Sequence, residues 1–243
     1  MQLVIDIGSS HTKTGLFSGR DLVSSHSFDG IPDPETLSAW LKLYPSPYAT
    51  IVSSVNQEAP ELYDFIKQNM ILVLVDSQMS LPVKVDYRTP ETLGNDRLAG
   101  IMGAYGRFPV KDVLVIDAGT CITYDLLDKN GVYQGGSISP GRRMRFQALN
   151  KFTARLPLVN GNDEMALTGK DTTTSIQSGV QHGILSEVAG IIGLYQQQYK
   201  DVTVVLTGGD SAFFDKNLKI NIFVAPNLVL EGLNLMLECH AKV

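Results

Sequence analysis

Asp6-Ile7-Gly8-Ser9-Ser10-His11-Thr12 and Asp117-Ala118-Gly119-Thr120-Cys121-Ile122-Thr123 are two copies of one pattern, held at a constant spacing from Asp6/Asp117 to Thr12/Thr123. An apolar run precedes each copy, Leu3 to Ile5 and Val113 to Ile116, and reads as a strand. Each copy continues into a second short strand, Thr12 to Phe17 and Thr123 to Leu127. A turn then closes each hairpin, Ser18-Gly19-Arg20-Asp21 and Asp128-Lys129-Asn130-Gly131, before a further strand. A unit repeated in this way predicts a duplicated chain, with domains at 1–110 and 111–243 and a boundary near Pro109-Val110-Lys111-Asp112.

The rest of the chain alternates. Pro34 to Leu43 reads as a helix with Asp33 as its cap, Thr50 to Val55 as a strand, Pro60 to Asn69 as a helix and Ile71 to Val75 as a buried strand. Leu93 to Arg107 has a helical pattern interrupted by Gly94, Gly100, Gly103 and Gly106. In the second half, helices are predicted over Arg142 to Leu156, Ser175 to Tyr199, Ser211 to Lys216 and Asn227 to His240, with strands at Val202 to Leu206 and Ile220 to Val224. Strands alternating with helices predict an α/β fold: two duplicated domains with mixed sheets flanked by helices and a cleft between them.

Composition narrows the function. The 243 residues carry a net charge of −5, so no basic excess exists to displace counterions from a nucleic-acid backbone. No apolar stretch reaches the roughly 18–20 residues that a membrane helix needs, and no basic leader precedes Leu3. Cys121 and Cys239 form no CxxC motif or disulfide framework and read as small hydrophobes in a reducing cytoplasm. His11, His26, His182 and His240 lack metal-ligand spacing.

Phosphate handling, if present, must use a scaffold other than the two commonest ones. GxxxxGK[ST] and a strand-borne GxGxxG are both absent. The first hairpin offers another scaffold: Gly8 lets backbone N–H groups approach a phosphate, Ser9, Ser10 and Thr12 add hydroxyls, Lys13 adds charge, and Asp6 can hold a hydrated Mg²⁺. The same residues would also make an ordinary hairpin turn. Thr207-Gly208-Gly209-Asp210 ends a strand and opens a helix, which suits either a nucleotide or a plain glycine turn. In Gly94-Asn95-Asp96-Arg97, Asp96 can take a proton from an attacking alcohol and Arg97 or its neighbours can hold an anionic oxygen, although the motif alone ordinarily reads as a helix cap with a surface arginine.

Together these blocks make the chain resemble type III pantothenate kinases, within the superfamily of acetate and sugar kinases, heat-shock chaperones and actin. The resemblance rests on DIGSSHTK (Asp6 to Lys13), Tyr87 followed by GNDR (Gly94 to Arg97), DAGTCITYD (Asp117 to Asp125), GGSISPG (Gly135 to Gly141), ALNKFTARLP (Ala148 to Pro157), TTTSI (Thr172 to Ile176) and TGGD (Thr207 to Asp210), in that order along nearly the whole chain. It implies actin-like (ribonuclease H-like) domains and ATP-dependent phosphorylation of pantothenate, the first step towards coenzyme A. It further implies that Asp6, Ile7, Gly8, Ser9, Ser10, His11, Thr12, Lys13 and Thr120 bind ATP and that Asp96 is the proton acceptor. Tyr87, Gly94, Asn95, Asp96, Arg97 and Thr172 would line the pantothenate site. Asp117 would hold a monovalent cation, potassium or ammonium, beside the Mg²⁺ at Asp6, and the enzyme would be a cytoplasmic homodimer.

The chain departs from the family pattern in two places. Ser9-Ser10 stand where the family has Asn-Thr, which loses side-chain amide contacts but keeps hydroxyls. Asp171 stands where Asn is common, adding a carboxylate beside an anionic substrate. Arg142, Arg143 and Arg145 read as a solvated or interface cluster. Two other functions use the same scaffold: a different small-molecule kinase, and a non-catalytic nucleotide-gated regulatory protein.

Overall fold

In the computed structural model, which describes residues 1–54, 59–76, 79–162 and 164–240, the first apolar run becomes β1 (Gln2–Ile7). The hairpin continues through β2 (His11–Ser18) into β3 (Asp21–Asp29). β1 and β2 are antiparallel, with Asp6 opposite Lys13 and Ile7 opposite Thr12. Side chains alternate across a strand, so Leu3, Ile5 and Ile7 share a face and enter one core with Leu16, Phe28, Leu37, Leu62 and Ile66. Asp6 belongs to the other face.

β4 (Ala49–Ser54) and β5 (Ile71–Leu74) add in parallel on the far side of β1, giving the order β3-β2-β1-β4-β5. Parallel neighbours need crossover connections, here α1 (Pro34–Leu41) and α2 (Pro60–Asn69). Asp33 caps α1 by accepting the Thr36 N–H at 2.7 Å. The strand read to Val55 is observed to Ser54; Val55 lies outside the described residues. A two-residue strand, β6 (Lys84–Val85), follows, and then α3 (Asn95–Arg107).

The second copy repeats this order. β7 (Val113–Ala118), β8 (Cys121–Leu127), β9 (Val132–Pro140), β10 (Thr203–Thr207) and β11 (Phe223–Val224) lie as β11-β10-β7-β8-β9, the same sequence of neighbours with β1 to β5 replaced by their counterparts. β6 extends this sheet by pairing in parallel with the start of β9. Leu114, Ile116 and Ala118 occupy the positions of Leu3, Ile5 and Ile7 and join Tyr124, Ile184, Val188, Ile192 and Leu206 in a second core. The helices are α4 (Arg142–Lys151), α5 (Thr172–Gln198), α6 (Ser211–Asn217) and α7 (Leu228–His240). α4 stops short of the predicted Leu156, where Thr153 turns its hydroxyl back to the Leu149 carbonyl at 2.7 Å. α5 starts before the predicted Ser175, because Asp171 and Thr174 form a reciprocal capping box. Among the described residues, no helix is long and apolar enough to cross a membrane.

The chain folds into two compact units, Met1–Val110 with Leu127–Gly135 and Asn227–Val243, and Lys111–Leu126 with Gly136–Pro226. The terminal helix therefore joins the first unit, whereas a division of the sequence at 110 places it with the second. Glycine is the reason. A Cβ on Gly232 of α7 would strike the Ala99 carbonyl of α3, and one on Gly103 of α3 would strike the Leu228 carbonyl of α7. The two backbones meet at these positions, so Gly103, with Gly106 against Leu235, forms the seat of α7. Leu228, Leu230, Leu233, Met236 and Leu237 are buried as a result.

Helix propensity alone favours alanine over glycine by about 1 kcal/mol. Gly232→Ala is expected to do the opposite, destabilising the protein by roughly 1–3 kcal/mol because backbone must move to admit the methyl. Gly190→Ala on α5, where nothing lies within 4 Å of the added Cβ, should stabilise by about 0.5–1 kcal/mol. Urea denaturation of both variants checks the pair.

Candidate functional site

Asp6 stands at the end of the central strand of the first sheet, facing away from the apolar core. In register it sits between Lys13 on β2 and Ser53 on β4. Its Oδ1 is buried with no hydrogen-bond partner, as are Ser53 Oγ and Thr12 Oγ1. Burial pushes the Asp6 carboxyl up to about 6, and the like charge of Asp96 adds to the rise, while the neighbouring Ser53 hydroxyl and the Lys13 ammonium draw it down. The turn after Asp6 is closed by Gly8 N–H donating to the His11 carbonyl at 3.0 Å. Ser9 at its tip is exposed. The His11 ring is turned to Asp29, with Nδ1 3.0 Å from Oδ1, so within the turn His11 contributes its backbone.

Asp96 comes from the first turn of α3 in the same unit. Its Oδ1 accepts the Arg97 N–H at 2.8 Å. A Cβ on Gly94 would lie 2.5 Å from that same oxygen, so the glycine is what lets the carboxylate fold back over the helix start. Arg97 is buried and its guanidinium carbon lies 5.8 Å from the centre of the Tyr87 ring, which in turn stacks on buried Tyr133. Asn95 reaches back to the Val75 carbonyl at 3.5 Å. The first unit thus holds Asp6 with Lys13 and Asp96, and Arg97, next in the chain to Asp96, with Tyr87.

The second hairpin carries Asp117 and Thr120 in the other unit. Its turn is tighter: Gly119 N–H donates to Cys121 O at 2.9 Å, one residue short of the acceptor that the first copy uses. Gly208 and Gly141 close over it. A Cβ on Gly208 would strike Asp117 Oδ1 and the Ala118 carbonyl, and one on Gly141 would strike the Gly119 and Thr120 carbonyls. Gly208 also has φ of 92°, a conformation that favours glycine. Thr123 Oγ1 is buried without a hydrogen-bond partner, as is Thr12 Oγ1 at the matching place in the first copy.

The Thr207 to Asp210 turn does not present a free row of N–H groups. Asp210 N–H donates to the Ala118 carbonyl at 2.9 Å and Ser211 N–H to the Gly208 carbonyl at 3.2 Å, so the turn braces the hairpin. The arginine cluster is likewise structural rather than solvated. Arg142 pairs with Asp210 at 3.1 Å and lies 4.3 Å over Phe213. Arg145 pairs with Glu187 at 2.7 Å and also donates to Ser139 Oγ and the Pro140 carbonyl. Only Arg143 of the three is exposed.

Thr172 lies on the first turn of α5, in the second unit, at a groove of about 890 Å³ between α4 and α5. Arg145, Leu149, Phe152, Leu156 and Ile176 line the same groove. The Asp171 carboxylate is committed to the helix cap, accepting Thr174 N–H at 2.8 Å, and that bond holds its pKa below the ordinary carboxylate value. Ser53 is the residue that motif reading passed over. Its signal was only a serine at the end of an apolar strand, which carries no chemistry until the register sets it beside Asp6.

The donors suit the implied cations. Asp6 Oδ1 is a buried carboxylate oxygen lacking a partner, with Asp96 nearby, and Mg²⁺ takes one or two carboxylates and fills its remaining positions with water and phosphate. Among the described residues no cluster of three or more His, Cys, Asp or Glu could cage a metal. Asp117 Oδ1 and the Ala118 carbonyl crowd the same glycine, an all-oxygen pair suited to a hard monovalent cation.

The sequence profile of type III pantothenate kinases matches residues 2–193. A type III pantothenate kinase of Christiangramia forsetii is 43% identical over 238 residues, covering 98% of each chain. One from Bacteroides fragilis is 44% identical over 238 residues with the same coverage. Solved structures show the fold at low identity. A conserved Campylobacter jejuni protein assigned to the Baf family of transcriptional activators superposes with a TM-score of 0.64 at 20% identity, over 99% of this chain and all of the other. A glucokinase of the ROK family from Streptomyces griseus, in complex with glucose and AMPPNP, gives 0.54 at 11% identity, over 100% and 99%. With sequence identity to these kinases of more than two residues in five along its full length, the chain belongs to the type III pantothenate kinase family.

Proposed function

We propose that this protein transfers the γ-phosphoryl group of ATP to the primary hydroxyl of pantothenate, the first step towards coenzyme A. The observation that carries the reading is the pair of carboxylates, Asp6 and Asp96, which interact within one unit beside Lys13, Arg97 and Tyr87. Phosphoryl transfer asks a protein for position and charge more than for covalent chemistry. Two acidic groups with different surroundings can divide that work.

Asp96 is the proton acceptor. Its Oδ1 is engaged by the Arg97 N–H, which fixes the carboxylate plane and leaves Oδ2 for the substrate hydroxyl. Arg97, held over Tyr87, faces the pantothenate carboxylate as a charge-assisted donor. Gly94 and Asn95 shape the same wall. Backbone groups of Ile7 to Thr12, the hydroxyls of Ser9 and Ser10, and the Lys13 ammonium receive the ATP phosphates; the Thr12 side chain, opposite Ile7, is buried on the core face. Thr120 is assigned to ATP as well. Asp6 would hold Mg²⁺, which would supply neutralising charge for the transferring phosphate oxygens. Asp117 would hold a potassium or ammonium ion, which would supply further positive charge.

The groove with Thr172 on its rim is largely apolar, and Phe152 on it is 79% exposed. A second copy of the chain suits this face, which supports a homodimer in which Thr172 completes the pantothenate site of the partner. The two unpaired, half-buried cysteines, Cys121 and Cys239, fit a reducing cytoplasm.

Asp96→Asn should lower kcat on the order of 10²-fold or more, with a much smaller change in pantothenate KM, as loss of a general base predicts. Steady-state kinetics that return near-normal kcat would remove Asp96 from this role. Activity in sodium-only buffer is expected to be low and restored by potassium or ammonium; equal rates would exclude a cation role for Asp117.

Asp6 also makes a pH prediction in metal-free protein. Its carboxyl is raised from 3.8, the ordinary aspartate value, to about 6 in the fold, so its stabilising contribution is fully present below 3.8 and is lost as pH rises through 6. Asp6→Asn escapes that loss. In EDTA the variant should be more stable than wild type at pH 8 by about 1–3 kcal/mol, with the gap closing towards pH 4. Urea denaturation across that range checks it; a gap independent of pH would contradict the burial of this charge.

A further inference from the structure

Ser53 is the penultimate residue of β4, a strand whose preceding residues Ile51 and Val52 are buried and apolar. Its side chain is 0% exposed, and its hydroxyl has no hydrogen-bond partner. A buried hydroxyl left unpaired is destabilising, whereas alanine in the same space carries no such penalty. The register places Ser53 directly beside Asp6, on the sheet face that also carries Lys13. Asp6 Oδ1 is the neighbouring buried oxygen without a partner. Two unpaired buried polar groups, one a donor and one an acceptor, therefore stand side by side at the end of the central strands.

We propose that Ser53 is a positioning residue for Asp6, donating its hydroxyl hydrogen to the Asp6 carboxylate when that carboxylate is charged and holding it in the orientation that receives Mg²⁺. This rests on the reading of Asp6 as the Mg²⁺ residue given above. Ser53 touches neither nucleotide nor pantothenate in this account; it acts through Asp6. Lys13, the cross-strand neighbour on the other side, cannot replace it, because an ammonium on a flexible stem gives charge without fixing the carboxylate plane.

The test is ADP binding by calorimetry in the presence and absence of MgCl₂, for the wild type, Ser53→Ala and Asp6→Asn. Ser53→Ala preserves strand and shape. It should weaken Mg²⁺-dependent ADP binding about tenfold, the size of a lost hydrogen bond to a charged group. Metal-free ADP binding should change by less than about twofold, because Ser53 acts on the nucleotide only through the metal that Asp6 holds. A mere packing role would weaken both alike. Equal weakening with and without MgCl₂, or no weakening in either, would overturn the inference. Asp6→Asn separates the two levels. If it abolishes the MgCl₂ effect while Ser53→Ala does not alter it, the Ser53 role alone fails. If Asp6→Asn leaves the MgCl₂ effect intact, the Asp6 role fails and takes the Ser53 role with it.

Discussion

A carboxylate at the end of a central strand is an expensive thing to bury, and the first unit is organised around that cost. Asp6 faces away from the apolar core, but its Oδ1 is still closed off from solvent and unpaired. Asp96, of the same charge, adds to the penalty instead of relieving it. Nothing in the hairpin by itself would put two acids together. They meet because α3 starts beside the end of β1 and because Gly94 leaves room for the Asp96 carboxylate to turn back. Two like charges held close together raise the cost of keeping both ionised.

That arrangement depends on α3 being held in place, and α7 holds it. The contact is backbone on backbone at Gly103 and Gly232, closer than any larger residue permits. Asn234 adds a buried tie from α7 to the β2–β3 turn, donating to the Gly19 carbonyl at 2.9 Å. The ion pairs at the edges, Arg20 with Glu238 and Arg107 with Glu231, are both at 3.2 Å and partly exposed, and such pairs contribute little beside the packing. The last thirteen-residue helix thus supports the start of α3, a long way back in the sequence.

The duplicated hairpins have diverged in ways that separate their chemistry. Both bury an unpartnered threonine hydroxyl, Thr12 and Thr123. The first has a longer turn, a lysine across from its aspartate and a serine beside it. The second is tighter, and glycine backbones from Gly141 and Gly208 press against its carbonyls. The first assembles donors and a carboxylate; the second gathers oxygens. Arg142 and Arg145, which follow β9, are drawn into pairs with Asp210 and Glu187, so they brace the second unit and leave its groove largely apolar.

Much of this was readable in the letters. Alternation of apolar residues placed β1, β7 and their hairpins, and the echo of Asp6 in Asp117 announced a duplicated chain, because strand period and turn chemistry are local properties. The residue types of Asp96, Arg97 and Lys13 already stated what they could do. Three things were not readable: the home of α7, the value of the glycines in α3, and the role of Ser53. Each depends on which backbone or side chain lies opposite, a relation between distant segments that composition does not encode. Local sequence chose the strands, turns and chemical groups; tertiary packing alone decided which groups are buried together, and hence which of them are left wanting a partner.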